Sequence, residues 1–461
     1  MSLQFIIGSS GIGKTHYACE QIIRESMENP QHLYYIIVPE QFTMQTQKNV
    51  VEMHPGKGIL NIDVLSFQRL AYRIFEETGG AREVLLDDTG KSMVLQKLVQ
   101  QHRKNLPYLG SQMNKPGYLD EVKSLISEFM QYDIREEELQ DMLGKTGEDS
   151  LLHMKMQDVG VLYQAFLQYL EGHYMTGEGV MDALKKAIPF SDKLKKSVLL
   201  LDGFTGFTPV QMNVIRELLN VCDKVLVTVT MDAGENPLQM GKPHQLFYMS
   251  RKMIHTLSGL TSNLDDPILL KDERKGRFGN STSLDFLEKH LFRYKRSAYE
   301  KKQEEICIFA AESPVKELEE TARRIRRLVR EKNLKYGEIA VITGNLEAYK
   351  SIASQVFEES RIPYFLDEKH TILMNPFIEY IRAALEMVTK GFSYESVFRY
   401  LRCDMSGLGR DQVDMLENYV LALGIHGYKK WSEKWVRVYR TMDPEDIQVL
   451  NEYREIFVEG G

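Results

Sequence analysis

Apolar residues in the first part of the chain form short continuous runs that alternate with stretches of helical periodicity. The runs Leu3–Ile7, Leu33–Val38 and Ile59–Leu65 have the length and composition of parallel strands that are covered on both faces. A helical pattern begins directly after the third run, at Phe67. Because strands that alternate with helices are typical of an open, mostly parallel sheet, the chain is predicted to start with an α/β domain.

The pattern changes between residues 87 and 196, where the apolar spacing is helical and no convincing strand occurs. Strand-like runs return at Ser197–Leu201 and Lys224–Thr230. The sheet that begins at residue 3 is therefore expected to be completed after a long helical excursion. This organisation predicts a first domain that comprises residues 1–86 and 197–231, interrupted by an all-α insertion at 87–196.

A second α/β unit is predicted for residues 305–390, after a polar stretch at 232–304 that we interpret as connecting helices and loops. Its expected strands are Ile306–Ala310 and Ile339–Thr343, each followed by a helical pattern. Residues 391–461 are predicted to form a further helical insertion. Because the pattern stops without a closing element, we expect the chain to be a fragment of a longer protein.

Composition narrows the class of protein. With 461 residues, 43% of them apolar, the chain is long enough for about three globular domains. Its net charge of −7 argues against a basic protein that coats nucleic acid, although it allows a local basic channel. The sequence contains no apolar run long enough to span a membrane, no signal peptide and no Cys-x-x-Cys pair. We therefore expect a cytoplasmic protein without a disulfide framework or a zinc knuckle.

The first apolar run leads into a motif that fits G-x-x-x-x-G-K-[ST] at every fixed position. The motif consists of Gly8, Ser9, Ser10, Gly11, Ile12, Gly13, Lys14 and Thr15. In such a loop the glycines let successive N–H groups point at phosphate oxygens, and the following helix adds its N-terminal dipole. The lysine reaches the β- and γ-phosphates, and the last hydroxyl holds magnesium. The flanking strand and helix favour an ATP and magnesium site over a chance glycine-rich turn.

A second candidate residue follows the apolar run Val198–Leu201, which ends in Asp202. An Asp at the end of a neighbouring strand would support the same magnesium ion as Thr15. The alternative is that this Asp merely ends a strand. The next residue is Gly203 rather than a Glu that could orient the attacking water, so hydrolysis of ATP by this site alone is expected to be poor.

Taken in order, these stretches resemble the AddB (also RexB) family, which is related to superfamily-1 helicases. The resemblance rests on the phosphate loop, on Val38–Thr43 and Leu65–Leu70, and on Leu201–Phe204 with the following Phe-Thr-Pro. It implies two RecA-like motor-type domains of the P-loop class with all-α insertions. By resemblance, single-stranded DNA is contacted by Gln41, Phe42, Thr43, Ser66, Phe67 and Gln68. For the two phenylalanines, the alternative is a place in the core, because aromatic residues often start helices as core residues.

The resemblance also implies partners and cofactors. The family works with an AddA (RexA) subunit on DNA in the repair of double-strand breaks by recombination, and it takes part in recognition of Chi sequences. It carries a C-terminal nuclease domain with a 4Fe-4S cluster, and no segment of this sequence resembles that domain. The family typically lacks some catalytic residues of active helicases. Here Gly203 stands in place of the catalytic Glu, and Met231–Gly234 lacks the Gln expected of a γ-phosphate sensor.

Other interpretations stay open at this point. One is a self-sufficient P-loop ATPase or kinase, and another is a non-enzymatic scaffold with a relic loop. The densest basic run, Arg323–Arg330, could follow a DNA backbone. It is better interpreted as a solvated helix face that neighbouring glutamates balance.

Overall fold

The computed structural model describes residues 2–80, 83–113, 115–147, 150–232, 234–271, 276–294, 297–367, 372–439 and 442–460. The chain divides into two compact units, Met1–Ile308 and Phe309–Gly461. The strands are β1 (Ser2–Gly8), β2 (Leu33–Ile37), β3 (Ile62–Leu65), β4 (Val84–Leu86), β5 (Tyr174–Thr176), β6 (Ser197–Leu201), β7 (Lys224–Thr230) and β8 (Ile268–Leu269).

Helices make up most of the remaining regular structure. In the first unit they are α1 (Lys14–Glu28), α2 (Thr43–Met53), α3 (Phe67–Thr78), α4 (Asp88–His102), α5 (Leu109–Gln112), α6 (Pro116–Gln131), α7 (Glu136–Gly144), α8 (Leu151–Leu170), α9 (Gly177–Ala187), α10 (Pro209–Val221), α11 (Tyr248–Ser258) and α12 (Thr282–His290). In the second unit they are α13 (Pro314–Glu331), α14 (Leu346–Glu359), α15 (Pro376–Thr389), α16 (Tyr394–Leu401), α17 (Arg410–Leu423), α18 (Tyr428–Ser432) and α19 (Asp446–Gly460).

Six parallel strands form the sheet of the first unit, in the order β3-β2-β6-β7-β1-β8. Side chains alternate between its faces, as the pleat requires. Phe5 and Ile7 of β1 pack with α3, α9 and α10, whereas Ile6 packs with α1 on the opposite face. Burial on both faces explains the continuous apolar runs, and the predicted open α/β sheet is confirmed. The third strand starts at Ile62, three residues later than the pattern predicts.

Helices α4 to α8 enclose a separate core that contains Leu95, Leu98, Ile126, Leu162 and Phe166. The two ends of this region meet where β4 pairs with β5 in a small parallel sheet. Strand β5 is absent from the sequence prediction, because three residues are too few for a period-2 pattern to show.

Helix α9 lies in the core of the first domain, although the pattern groups it with the helical insertion at 87–196. Val180 and Leu184 of this helix, and Ile188 directly after it, pack with α3 and α10. An amphipathic pattern shows that one face is buried but does not show which core covers it.

In the second unit, α13 and α14 pack through Leu318, Ile325 and Phe357. The strands predicted at Ile306–Ala310 and Ile339–Thr343 are wrong, since the described residues 297–367 contain no strand. Parallel strands require hydrogen-bonded neighbours and cover on both faces. Ile308 and Ile342 are instead 94% and 92% exposed. Length and apolar content alone therefore overpredict strands here.

Helices α15 to α19 share a further core around the buried Trp431. Its ring lies 4.8 Å from that of Phe457 and 5.2 Å from that of Trp435. The helical character predicted for residues 391–461 is confirmed over the described part of that range. Within the described ranges, the helices are too short or too polar to cross a bilayer.

Candidate functional site

The phosphate-type loop joins β1 to α1. Gly8 ends the strand and Lys14 begins the helix, so the motif lies at the carboxyl edge of the sheet. Gly11 and Gly13 have φ angles of +75° and +96°, in the left-handed region that favours glycine. Because Gly13 is also the N-cap of α1, the cap itself carries no side chain that could satisfy the first N–H groups of the helix. Those N–H donors and the helix dipole favour binding of an anion at the start of α1.

Lys14 lies inside this loop. Its Nζ donates a 2.9 Å hydrogen bond to the carbonyl oxygen of Ser9. Burial lowers the pKa of Lys14, while the nearby carboxylates of Asp202 and Glu288 oppose that shift. Of these two carboxylates, Asp202 is a candidate from the sequence analysis and Glu288 is not.

Thr15 and Asp202 come together, although they lie on opposite sides of a central strand. Leu201 of β6 pairs with Val227 of β7, which in turn pairs with β1. The Thr15 hydroxyl lies 3.0 and 2.9 Å from the two carboxylate oxygens of Asp202. This pair offers hard oxygen ligands, the type that Mg²⁺ prefers. The arrangement fits the predicted magnesium role of both residues.

Thr228 of β7 completes this group and is missing from the sequence prediction. Its hydroxyl donates a 2.6 Å hydrogen bond to Oδ1 of Asp202 and accepts one of 3.4 Å from the N–H of Gly203. Both Asp202 and Thr228 are buried. A threonine inside an apolar strand does not by itself indicate a functional site. Only the sheet order shows that the strand of Thr228 lies between β1 and β6.

The six predicted DNA-contact residues lie after β2 and β3, at the same edge of the sheet, and they divide by exposure. The exposed ones are Gln41, Phe42 and Gln68, and the buried ones are Thr43, Ser66 and Phe67.

The buried three have structural partners. Thr43 Oγ1 donates to the carbonyl oxygen of Glu40, and Ser66 Oγ accepts from the N–H of Arg69 as the N-cap of α3. The Phe67 ring lies 5.6 Å from Phe204 and 6.2 Å from Phe207. For Phe67 the geometry favours the core alternative, and the surface available to a base is that of Phe42.

One further segment contacts the phosphate-type loop from a region that the sequence treats only as connecting structure. The N–H of Arg277 donates a 2.8 Å hydrogen bond to the carbonyl oxygen of Gly11. Residues Gly276–Phe278, here called the strap, lead into α12, which carries Glu288. No local motif identifies the strap, because its partner is far away in the sequence.

The other candidate groups give weaker support for a functional site. Among the described residues, no cluster of three or more His, Cys, Asp or Glu side chains could hold a metal ion. Two arginines of the basic run on α13, Arg323 and Arg324, pair with Glu320 at 3.2 and 3.0 Å. Asp232, at the expected sensor position, accepts two hydrogen bonds from Arg293.

Comparison with protein families gives two matches. A model described as ADDB, N-terminal, matches residues 5–288, and a model described as UvrD-like helicase C-terminal domain matches residues 279–446. The second match, together with the parallel sheet and many helices, supports the predicted α/β, helicase-like fold class.

Several curated relatives share one name, which describes each of them as the B subunit of an ATP-dependent helicase/deoxyribonuclease. The protein from Lachnoclostridium phytofermentans is 42% identical over 99% of this chain and 40% of its own length. The proteins from Clostridium novyi and Caldanaerobacter subterraneus are each 34% identical, over 94% and 99% of this chain and 38% and 40% of their own lengths. The chain therefore spans about two fifths of the length of these relatives.

Proposed function

The chain belongs to the AddB family, and from this premise we propose that it binds ATP with magnesium at Gly8–Thr15 and single-stranded DNA at the carboxyl edge of the same sheet. In this proposal it is part of the B subunit of a helicase/deoxyribonuclease, as its relatives are named. The larger protein would act with an AddA-type (RexA) subunit in the cytoplasm, in repair of double-strand breaks by recombination.

The contact between Thr15 and Asp202 carries the nucleotide part of the proposal. A strand end and a helix start from distant parts of the chain bring a hydroxyl and a carboxylate within 3.0 Å. Bound magnesium would supply positive charge that neutralises the phosphates. Thr15 and Asp202 would hold the ion, and Lys14 would contact the same phosphates.

Hydrolysis at this site is expected to be slow. Gly203 follows Asp202 where active phosphate-loop enzymes of this kind place a carboxylate that orients water. Positioning and charge stabilisation provide most of the catalysis in phosphoryl transfer, so the loss of this group costs orders of magnitude in turnover. The site is therefore proposed to bind ATP as a ligand, while the partner subunit drives translocation.

The DNA part of the proposal rests on exposed side chains. Gln41, Phe42 and Gln68 follow two adjacent parallel strands, so they share one edge of the sheet. Phe42 is 47% exposed, which leaves a ring face for stacking on a base with little sequence preference. The Glu40–Arg69 ion pair, with Nε 3.0 Å from Oε1, links the two segments. Participation in Chi recognition and a 4Fe-4S cluster in the C-terminal part of the larger protein remain family-based proposals.

Calorimetric titration of Mg-ATP into the 461-residue chain tests the nucleotide site, with Lys14→Ala as the comparison. Saturable binding that Lys14→Ala abolishes is the expected result. Lys14 loses its phosphate contact in that variant, while Lys48→Ala on α2 removes an exposed lysine outside the loop and serves as the control. Absence of binding by a chain that circular dichroism shows to be folded would contradict the proposal and favour the scaffold interpretation.

A further inference from the structure

A group of basic side chains lies on the second unit, in a stretch that the sequence pattern places in the helical insertion at 391–461. Lys429 and Lys430 belong to α18, and Lys434 and Arg437 lie in the segment that follows it. All four residues are exposed, and together they are called the basic patch. Glu433 is the one acidic residue between Lys429 and Arg437. Because the whole chain has a net charge of −7, this local excess of positive charge is unexpected.

The basic patch has no carboxylate partner among the residues that the structure describes. Lys430 Nζ donates to the carbonyl oxygen of Gly424, 3.3 Å away, and within the described ranges the other three side chains form no hydrogen bond or ion pair. The run on α13 differs in this respect, since Arg323 and Arg324 pair with Glu320. The charge of the basic patch is therefore available to an anion from outside the chain.

The main chain that carries the basic patch is fixed by buried side chains. The Trp435 ring stacks on Tyr419 at 4.7 Å, and its Nε1 donates to the carbonyl oxygen of Lys430. The Tyr419 hydroxyl donates a 2.8 Å hydrogen bond to the carbonyl oxygen of Arg437. The side chain of Asn451 bonds both the N–H and the carbonyl oxygen of Trp435, each at 2.9 Å. A surface whose backbone is already fixed loses less conformational entropy when a ligand binds.

The chemistry of the basic patch favours a phosphate backbone over unpaired bases. Three of its four side chains are lysines, whose compact charge contacts phosphates without the planar geometry of arginine. Trp431 and Trp435 are 1% and 6% exposed, so their rings are not available to stack on the bases of a single strand. Double-stranded DNA carries one negative charge per about 1.7 Å of its axis, which makes it a dense polyanion.

We propose that the basic patch binds the phosphate backbone of double-stranded DNA without reading its sequence. This surface goes beyond the proposed function, which assigns single-stranded DNA to the carboxyl edge of the sheet in the first unit. It depends on that proposal only for the expectation that the chain meets DNA. Contacts of this kind release condensed counterions, so binding weakens as the salt concentration rises. Each lost phosphate contact lowers the slope of log K against log salt concentration by about 0.9.

Fluorescence anisotropy with a labelled blunt-ended duplex, over a series of salt concentrations, tests this inference on the 461-residue chain. The patch variant combines Lys429→Ala, Lys434→Ala and Arg437→Ala. We expect it to bind the duplex about tenfold more weakly or worse, with a salt slope smaller by roughly 2 to 3.

A second triple variant controls for net charge. It combines Lys104→Ala, Lys252→Ala and Lys332→Ala, which removes three exposed lysines from three separate places in the chain. Its net charge equals that of the patch variant, so it should bind the duplex like the parent chain if position rather than total charge matters. Circular dichroism should show native folding for both variants, because the six side chains are exposed.

The outcomes separate this inference from the proposed function. If the patch variant binds the duplex as the control variant does, or if the parent chain binds no duplex, the inference fails. The single-strand site of the first unit still stands in that case, provided that Phe42→Ala weakens binding of a single-stranded oligonucleotide.

Two further results would assign the basic patch to another occupant and overturn the inference. Displacement of the duplex by polyglutamate of equal charge, at equal concentration, would indicate a site for an acidic protein. Tyr428, next to Lys429, is 57% exposed. If the chain preferred a single strand to the duplex and Tyr428→Ala removed that preference, the surface would bind stacked bases instead.

Discussion

The hydroxyl of Thr228 donates a 2.6 Å hydrogen bond to Oδ1 of Asp202, the same carboxylate that contacts Thr15 from the other side. Strand β7 lies between β6, which ends directly before Asp202, and β1, which leads through the phosphate-type loop to Thr15, so Thr228 is placed beside Asp202 by the sheet order. A buried carboxylate needs such partners, because an unpaired one would be costly. Thr228 therefore orients Asp202 for the proposed magnesium role.

Thr228→Val keeps the shape of the side chain and removes the hydroxyl. We expect Mg-ATP affinity to fall several-fold and the free energy of unfolding to drop by about 1–3 kcal/mol, since the buried Asp202 loses a hydrogen bond. Calorimetry and urea denaturation measure the two effects. Thr256→Val on α11, where the hydroxyl only bonds its own helix, is the control. Unchanged affinity in Thr228→Val would show that Asp202 needs no such support.

Gly11→Ala tests the contact between the loop and the strap. The φ angle of +75° disfavours any side chain, and the new methyl group would press on the Phe278 ring. We expect a loss of about 1–2 kcal/mol in unfolding free energy from the backbone alone. Nucleotide binding should weaken as the strap is displaced. Gly206→Ala is the control, because its φ is ordinary and no atom lies within 4 Å of the added carbon. Equal melting temperatures of the two variants would count against the contact.

Local patterns were sufficient for part of this architecture. The strands β1, β2, β6 and β7 and the phosphate-type loop follow from continuous apolar runs and glycine spacing. Asp202 could be identified because it directly ends one of those runs. These features depend on neighbours in the sequence, and pattern analysis detects such neighbours.

Features that depend on distant contacts could not be predicted. The strap meets Gly11 only through tertiary folding, and Thr228 gains its partner from the sheet order. Phe67 illustrates the same limit, since an aromatic residue at a helix start is compatible with a core position or a surface one. The contacts of the Phe67 ring with Phe204 and Phe207 show that Phe67 is a core residue.

Gly203→Glu introduces the missing carboxylate, but we expect no gain in ATP turnover. Gly203 has a φ angle of +79°, so a glutamate there costs about 1–2 kcal/mol in backbone strain. Either the strain persists or the backbone moves, and in neither case is the carboxylate held where a water would need it. Phosphate release should match that of Lys14→Ala, with a lower melting temperature than the parent chain. Turnover clearly above that background would show that the position accepts a working carboxylate.

Phe42→Ala and Phe67→Ala should separate DNA contact from core packing at one edge of the sheet. Phe42 is 47% exposed, so its loss should leave stability nearly unchanged and weaken single-stranded DNA binding about tenfold, as expected for one lost stacking contact. Phe67 is 6% exposed, and its truncation should cost about 3–5 kcal/mol of unfolding free energy. Fluorescence anisotropy with a labelled oligonucleotide and urea denaturation measure the two quantities.

The control for this pair is Phe190→Ala. Phe190 is 74% exposed and lies before β6 begins, near the amino edge of the sheet. Removal of its ring should change neither DNA affinity nor stability by a large amount, because it lies away from the proposed contact surface. If Phe42→Ala bound DNA as tightly as Phe190→Ala, the ring of Phe42 would have no stacking role. The proposed DNA edge would then rest on Gln41 and Gln68 alone, whose hydrogen bonds would have to supply the affinity.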